Sequence, residues 1–259
     1  MIKHRNFIGL AVALAVVIGA VSWVNLRSEK PAVIEKQPVQ PSNKTPAKPL
    51  TTSFGIDKTL YSIKEADSIW TIVNKGRVLQ DGFKPPDLIV PNVKLRLTPT
   101  DDQMHVRSTT ASAMEKMFTA AATNNVNLML ASGFRSQEYQ RSLYATYVAQ
   151  QGVAGADRSS ARPGHSEHQT GLAFDIEPAN KKCELDACFG DTVEGKWVSA
   201  HAAEYGFIVR YGKDQEQLTG YEYEPWHLRY VGKDLAKVLY EKHLTMEQFF
   251  GLQPSLSYN

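Results

Sequence analysis

Two short stretches about fifty residues apart carry the residue types that metal-assisted hydrolysis needs. The first is Ser166-Glu-His-Gln-Thr-Gly-Leu-Ala-Phe-Asp175 and the second is Glu224-Pro-Trp-His227. A catalytic zinc takes three protein ligands and leaves one position open for water. His168, Asp175 and His227 can supply the three, which leaves Glu224 as the base that takes a proton from that water. Taken singly, a buried His is more often a hydrogen-bonded core residue, and an Asp at a strand end is more often a turn former. Together, at this spacing, they point to one zinc per chain. His105, His165, His201 and His243 are not counted as ligands; His201 falls in a helical pattern and His243 near a helix end, where a solvated or satisfied ring is the ordinary case.

Local pattern supports this grouping. Gly-Leu-Ala-Phe-Asp-Ile alternates as a strand does, with Leu172, Phe174 and Ile176 on one face and Ala173 and Asp175 on the other. Thr170 and Gly171 can turn the chain between His168 and that strand. Pro225, between Glu224 and His227, fits neither a helix interior nor a regular central strand and predicts an irregular entry into Trp-His-Leu-Arg-Tyr-Val.

On these two motifs the chain resembles the zinc D-alanyl-D-alanine peptidases, specifically the VanY-type carboxypeptidases with their L,D-carboxypeptidase and VanX-type dipeptidase relatives. A third element, Ala-Ser132-Gly-Phe-Arg135-Ser-Gln-Glu-Tyr-Gln140, resembles a family segment, as does the stretch 68–79 near the start of the domain. The resemblance implies that His168, Asp175 and His227 are zinc ligands, that Glu224 is the catalytic base and that Arg135 is an electrostatic partner of substrate. Guanidinium is suited to an oxyanion or a carboxylate because its rigid fork donates two parallel hydrogen bonds. The competing reading of Arg135 is a surface ion pair with Glu138. Ser166 and Gln140 are candidates for gripping a terminal carboxylate, although Ser166 would serve equally as a turn or cap residue, and Arg162 is a further candidate cationic contact.

The expected activity is that of a zinc-dependent D-alanyl-D-alanine carboxypeptidase, which hydrolyses the D,D bond to the terminal D-alanine of peptidoglycan stem peptides. The alternatives are an L,D-carboxypeptidase acting on tetrapeptide stems, an endopeptidase cutting wall cross-links, and a non-catalytic wall-binding module. Retention of a spare carboxylate at Glu224 argues against the last, since a structural zinc needs no base. A formal charge of +2 is too slight to imply nucleic-acid binding, and the protein is expected to act as a monomer.

The chain divides into three parts. After Lys3, His4 and Arg5, the run Phe7–Val24 holds no charged residue and as a helix spans about 27 Å against a hydrocarbon core of about 30 Å. Residues 1–24 therefore read as a cytoplasmic N-terminus and an uncleaved membrane anchor, with the remainder outside the cell; a cleaved signal peptide is the competing reading. Residues 25–53 are rich in Pro, Lys, Gln, Ser and Thr and read as a disordered tether, reaching on the order of 80 Å if extended. Residues 54–259 are long enough for one domain with its own core. Cys183 and Cys188, the only cysteines, lie in a polar loop. In an exported chain they read as a small disulfide, with two free thiols as the alternative.

Positioning the chemistry falls to a mixed pattern. Ala111, Met114, Met117, Phe118, Ala121 and Ala122 recur at helical spacing, and 138–150, 198–205 and 233–242 also read as helices. Strands are expected at 127–131, 171–177, 207–211 and 227–231, and Thr245-Met-Glu-Gln248 is a capping box opening a short last helix. This predicts an α+β domain, with a central antiparallel sheet flanked by helices.

Overall fold

The computed structural model describes residues 55–258. The expected membrane anchor and the Pro-rich tether lie outside the described residues. Among the described residues no helix is long and apolar enough to cross a membrane.

In chain order the elements are β1 (Leu88–Ile89), β2 (Val106–Arg107), α1 (Ser108–Thr123), β3 (Leu128–Ser132), α2 (Gln137–Ser159) and β4 (Ala173–Pro178). There follow α3 (Val193–His201), β5 (Phe207–Tyr211), α4 (Glu216–Thr219), β6 (Glu224–Tyr230), α5 (Lys233–Lys242) and α6 (Met246–Phe250). β1 and β2 form a small antiparallel pair. The main sheet runs in the order β3-β4-β6-β5, with every neighbouring pair antiparallel. The expected α+β fold is therefore observed.

Alternation decides which face of this sheet is dry. Leu130, Phe174, Ile176, Phe207 and Leu228 share one core cluster with Met114, Met117, Phe118 and Ala121 from the apolar stripe of α1. Residues of opposite parity, among them Asp175, His227 and Arg229, are left for the other face. A second cluster joins Trp70 and Ile72 to Leu235, Ala236 and Leu239 of α5 and to Met246 and Phe249 of α6. Trp70 also donates its indole N–H to Val231 O at 2.8 Å, which satisfies the one polar atom of a buried ring.

Several boundaries differ from expectation for local reasons. β4 starts at Ala173 because Gly171 adopts a left-handed conformation (φ 63°) that closes the turn Glu167–Thr170. The helix expected at 198–205 begins earlier, where the Thr192 side chain accepts from Gly195 N, and ends at His201 before a tighter turn over Ala202–Tyr205. Helix α2 runs past residue 150, but it breaks direction at Gly152, whose φ of 72° suits glycine alone. Pro225 lies within β6, at the irregularity where Val209 pairs with Leu228 but Tyr211 pairs with Glu224. A missing N–H is tolerated at such a bulge, and the bulge re-aims the side chain next to it. The capping box at Thr245 and Gln248 forms as expected. Cys183 and Cys188 are joined in a disulfide with Cα atoms 5.6 Å apart.

Candidate metal centre

Strand register brings the first two candidate ligands together. Asp175 of β4 pairs directly with His227 of β6 and, on its other side, with Ser132 of β3. Side chains opposite one another on one face lie within contact distance, and His227 Nδ1 is 3.3 Å from Asp175 Oδ1. His168 arrives from the turn preceding β4, with its Nε2 3.3 Å from Asp175 Oδ2. Its other nitrogen, Nδ1, contacts Gly133 O at 2.7 Å, and Arg135 N donates to His168 O at 3.3 Å, so the loop after β3 holds the ring in place.

The three residues fit a metal. All are buried, and one ligand atom from each lies within 4.8 Å of the others. His168 Nε2 and Asp175 Oδ1 are shielded from solvent without any hydrogen-bond partner, which in a native interior calls for a bound group. Two imidazoles and a carboxylate are a donor set that suits zinc.

Glu224 stands beside them, its Oε2 3.5 Å from His227 Nδ1. Burial, reinforced by the charge of Asp175, pushes its carboxyl up to about 7 against the opposing pull of His227 and Arg135. Burial also works against the charge on Asp175, yet His168, His227 and Arg135 hold it well below the usual carboxylate range. Burial, with Arg135 adding to it, pushes His168 down to about 4. Burial would lower His227 too, but contact with Asp175 and Glu167 and the charge of Glu224 lift it to about 9. A ring surrounded by three carboxylates binds a proton tightly, so the cluster is arranged to accept positive charge.

Arg135 is not paired with Glu138, which instead takes Arg141 at 2.7 Å. Its Nη2 lies 3.3 Å from Asp175 Oδ2, while its Nε is buried and unpartnered. Ser166 is buried, stands at the N-cap of the turn Glu167–Thr170 without a side-chain capping bond, and lines the cleft that also holds Arg135, His168, Glu224 and His227. Gln140 lines the same cleft. Its amide nitrogen is occupied by Ala161 O (2.7 Å) and Ser160 Oγ (3.3 Å), which leaves an unpartnered acceptor, Oε1. Arg162 is not brought into the cleft: Asp157 occupies both arms of its fork, at 3.0 and 2.8 Å, and the guanidinium lies over the Tyr258 ring.

Sequence reading missed three residues of this region. Tyr211 and Tyr221 form one wall of the cleft, and the Tyr211 ring lies 4.8 Å from that of His227. Glu167, between two residues that were singled out, is fully buried against Arg210 and Arg229. The available signal was the arginines themselves, Arg210 in the otherwise apolar run Phe207–Tyr211 and Arg229 between Leu228 and Tyr230, where a buried cation requires an acidic partner.

Comparison with known proteins follows the same outline. Residues 103–233 match the VanY family, described as D-alanyl-D-alanine carboxypeptidase. YodJ of Bacillus subtilis (strain 168), a carboxypeptidase by inference, is 42% identical over 191 residues, covering 74% of this chain and 70% of that one. The solved structure of the LD-carboxypeptidase LdcB is 42% identical with a TM-score of 0.69, over 72% of this chain and 87% of that one. A mutant of the vancomycin resistance D,D-pentapeptidase VanY, from a VanB-type cassette and solved in complex with Zn(II), is 26% identical with a TM-score of 0.59, over 72% of this chain and 99% of that one.

Proposed function

The chain belongs to the VanY family of D-alanyl-D-alanine carboxypeptidases, and from that premise we propose that it is a zinc-dependent carboxypeptidase releasing the terminal D-alanine of peptidoglycan stem peptides. The observation that carries this reading is the buried His168, Asp175 and His227 cluster with Glu224 alongside it. Those three residues would hold the zinc, which when bound supplies Lewis acidity at the scissile carbonyl and a water acidified toward neutrality.

The remaining work belongs to the protein. Glu224 accepts the proton of the attacking water at its carboxylate and passes it to the leaving amine. Burial serves this role, because a carboxyl raised toward 7 holds a proton long enough to deliver it. Arg135, already beside Asp175, directs its unsatisfied donor toward negative charge developing on the substrate carbonyl. Ser166 presents a hydroxyl donor to the terminal carboxylate, whereas Gln140, whose amide nitrogen already donates to Ala161 O and Ser160 Oγ, has no donor left for that carboxylate. The run Phe7–Val24 would anchor the enzyme in the membrane, with the catalytic domain outside the cell at the end of the Pro-rich tether.

One observation bears on which bond is cut. The sequence suggested a D,D bond, but the chain is more similar to LdcB (42% identity, TM-score 0.69) than to the D,D-pentapeptidase VanY (26%, 0.59). This favours an L,D bond and a tetrapeptide substrate. Mass spectrometry of pentapeptide and tetrapeptide muropeptides incubated with the protein tests both levels. Conversion of tetrapeptide to tripeptide is expected. Preferential loss of D-alanine from pentapeptide would restore the D,D reading, and release of nothing from either would end the carboxypeptidase reading.

A further inference from the structure

Glu167 presents two carboxylate oxygens to two different surroundings. Oε1 accepts from Arg210 Nε at 2.9 Å and from Arg229 Nη1 at 2.8 Å. Oε2 is buried with no hydrogen-bond partner and lies 3.6 Å from His227 Nε2, which is itself buried and unpartnered. The other nitrogen of that ring, Nδ1, faces Asp175 Oδ1 at 3.3 Å and Glu224 Oε2 at 3.5 Å. One edge of His227 is thus turned to the metal cluster and the opposite edge to Glu167.

We propose that Glu167 is a positioning residue for the metal centre: its Oε2 accepts the Nε2–H of His227 and fixes the ring so that Nδ1 presents its lone pair to the cation. This rests on the reading of His168, Asp175 and His227 as zinc ligands. A neutral imidazole binds metal through one nitrogen and carries its proton on the other, and a carboxylate or carbonyl on the protonated side selects the tautomer and orients the ring. At 3.6 Å the pair is longer than an ordinary hydrogen bond, but neither atom has a competing partner. His168 is arranged in the opposite sense. Its Nδ1 is held by Gly133 O at 2.7 Å, so Nε2 faces Asp175. The two histidines therefore ligate through different nitrogens, one oriented by a backbone carbonyl and the other by Glu167.

Glu167 is itself held from a distance. Arg210, from β5, is also gripped by both oxygens of Glu247 in α6, at 3.1 and 2.5 Å, and Asn74 Nδ2 donates to Glu247 Oε1 at 3.0 Å. Arg229, from β6, donates to Ile69 O and Thr71 O. Elements at both ends of the domain thus fix the carboxylate that aims one ligand.

The test is the zinc affinity of the full chain, read by competition with a chromophoric chelator. Glu167→Gln should weaken zinc binding about 10- to 100-fold, whereas Glu247→Gln, which removes a carboxylate from the same arginine without touching His227, should stay within about threefold of the wild type. Wild-type affinity in Glu167→Gln, or an equal loss in Glu247→Gln, overturns the proposal. A wild-type chain that binds no zinc overturns the ligand assignment beneath it, a separate and recognisable failure. Should Glu167→Gln fail to fold, nitrogen-15 NMR of histidine-labelled, zinc-loaded wild type decides instead. Metal on Nδ1 with a proton on Nε2 is expected for His227 and the reverse for His168; metal on His227 Nε2 overturns the proposal.

Discussion

Glu224 and Arg135 both approach the ligand cluster, yet their side chains can be separated by kinetics. Glu224→Gln preserves shape and removes the proton acceptor, so turnover should drop about 10²- to 10⁴-fold with zinc content unchanged; near-normal kcat in a fully metallated variant would remove Glu224 from the base role. The sign of the pH dependence follows from its ionisation. The carboxylate must be free to accept a proton, so kcat/KM should rise with pH and level off above the value of about 7 to which burial raises the group. A cation bound nearby favours the charged form, so the limb of the metallated enzyme should fall at or below that value. A limb clearly above it would point to a different group. Arg135→Lys keeps a charge but loses the fork. Because Arg135 Nη2 is already 3.3 Å from ligand Asp175, an oxyanion role is favoured, and kcat and kcat/KM should fall together by about 10-fold or more. Steady-state kinetics showing a raised KM at constant kcat would assign Arg135 to ground-state binding of the substrate carboxylate instead.

At the scale of elements, the site depends on loops that exact local geometry holds against strands. Gly133 shows this most sharply. A Cβ there would come within 2.3 Å of His105 O and 2.9 Å of the Val106 side chain, while its own carbonyl orients His168. Gly133→Ala must displace the backbone, so it should lower both stability and zinc affinity, with a stability loss of about 1–3 kcal/mol. A denaturant melt and a zinc titration both indistinguishable from wild type would show that the loop relaxes without cost. The same contrast between local and distant causes explains what the sequence disclosed. Strands β3 to β6 and helices α1, α2 and α5 were legible because each has its own apolar period, and His168, Asp175, Glu224 and His227 because they fall in two compact motifs. The role of Glu167 was not, since it requires Arg210 and Arg229, 43 and 62 residues away, to converge on one carboxylate. The walls Tyr211 and Tyr221 were equally hidden, as nothing local separates a cleft tyrosine from a core one. Residues 55–107, mostly turns and two-residue strands, lack a period to read and are ordered by distant contacts such as Trp70 with Phe250.

For the molecule as a whole, a metal held by these buried side chains would couple binding to folding stability. Asp175, Glu224 and Glu167 are gathered around His227; Arg210 and Arg229 offset Glu167 and Arg135 offsets Asp175, while the ring of His227, raised by the same carboxylates, and a bound cation would offset the rest. A zinc ion that binds the folded chain and not the unfolded one adds stability of RT ln(1 + [Zn]/Kd), about 2.7 kcal/mol at one hundred times Kd. In a domain of this size that corresponds to a Tm increase of roughly 5–10 °C, at about 2–4 °C per kcal/mol. Scanning calorimetry of the full chain with added zinc and with excess chelator should therefore give two well-separated transitions, the chelated one lower. His168→Ala, Asp175→Ala and His227→Ala each reduce three ligands to two, so each variant should melt at the same temperature in zinc and in chelator, whatever its own stability. Glu224→Gln, which leaves the ligands intact, should keep the zinc-dependent increment while losing turnover. A wild-type Tm indifferent to zinc, or an increment that survives loss of all three ligand side chains, would place the metal elsewhere in the protein.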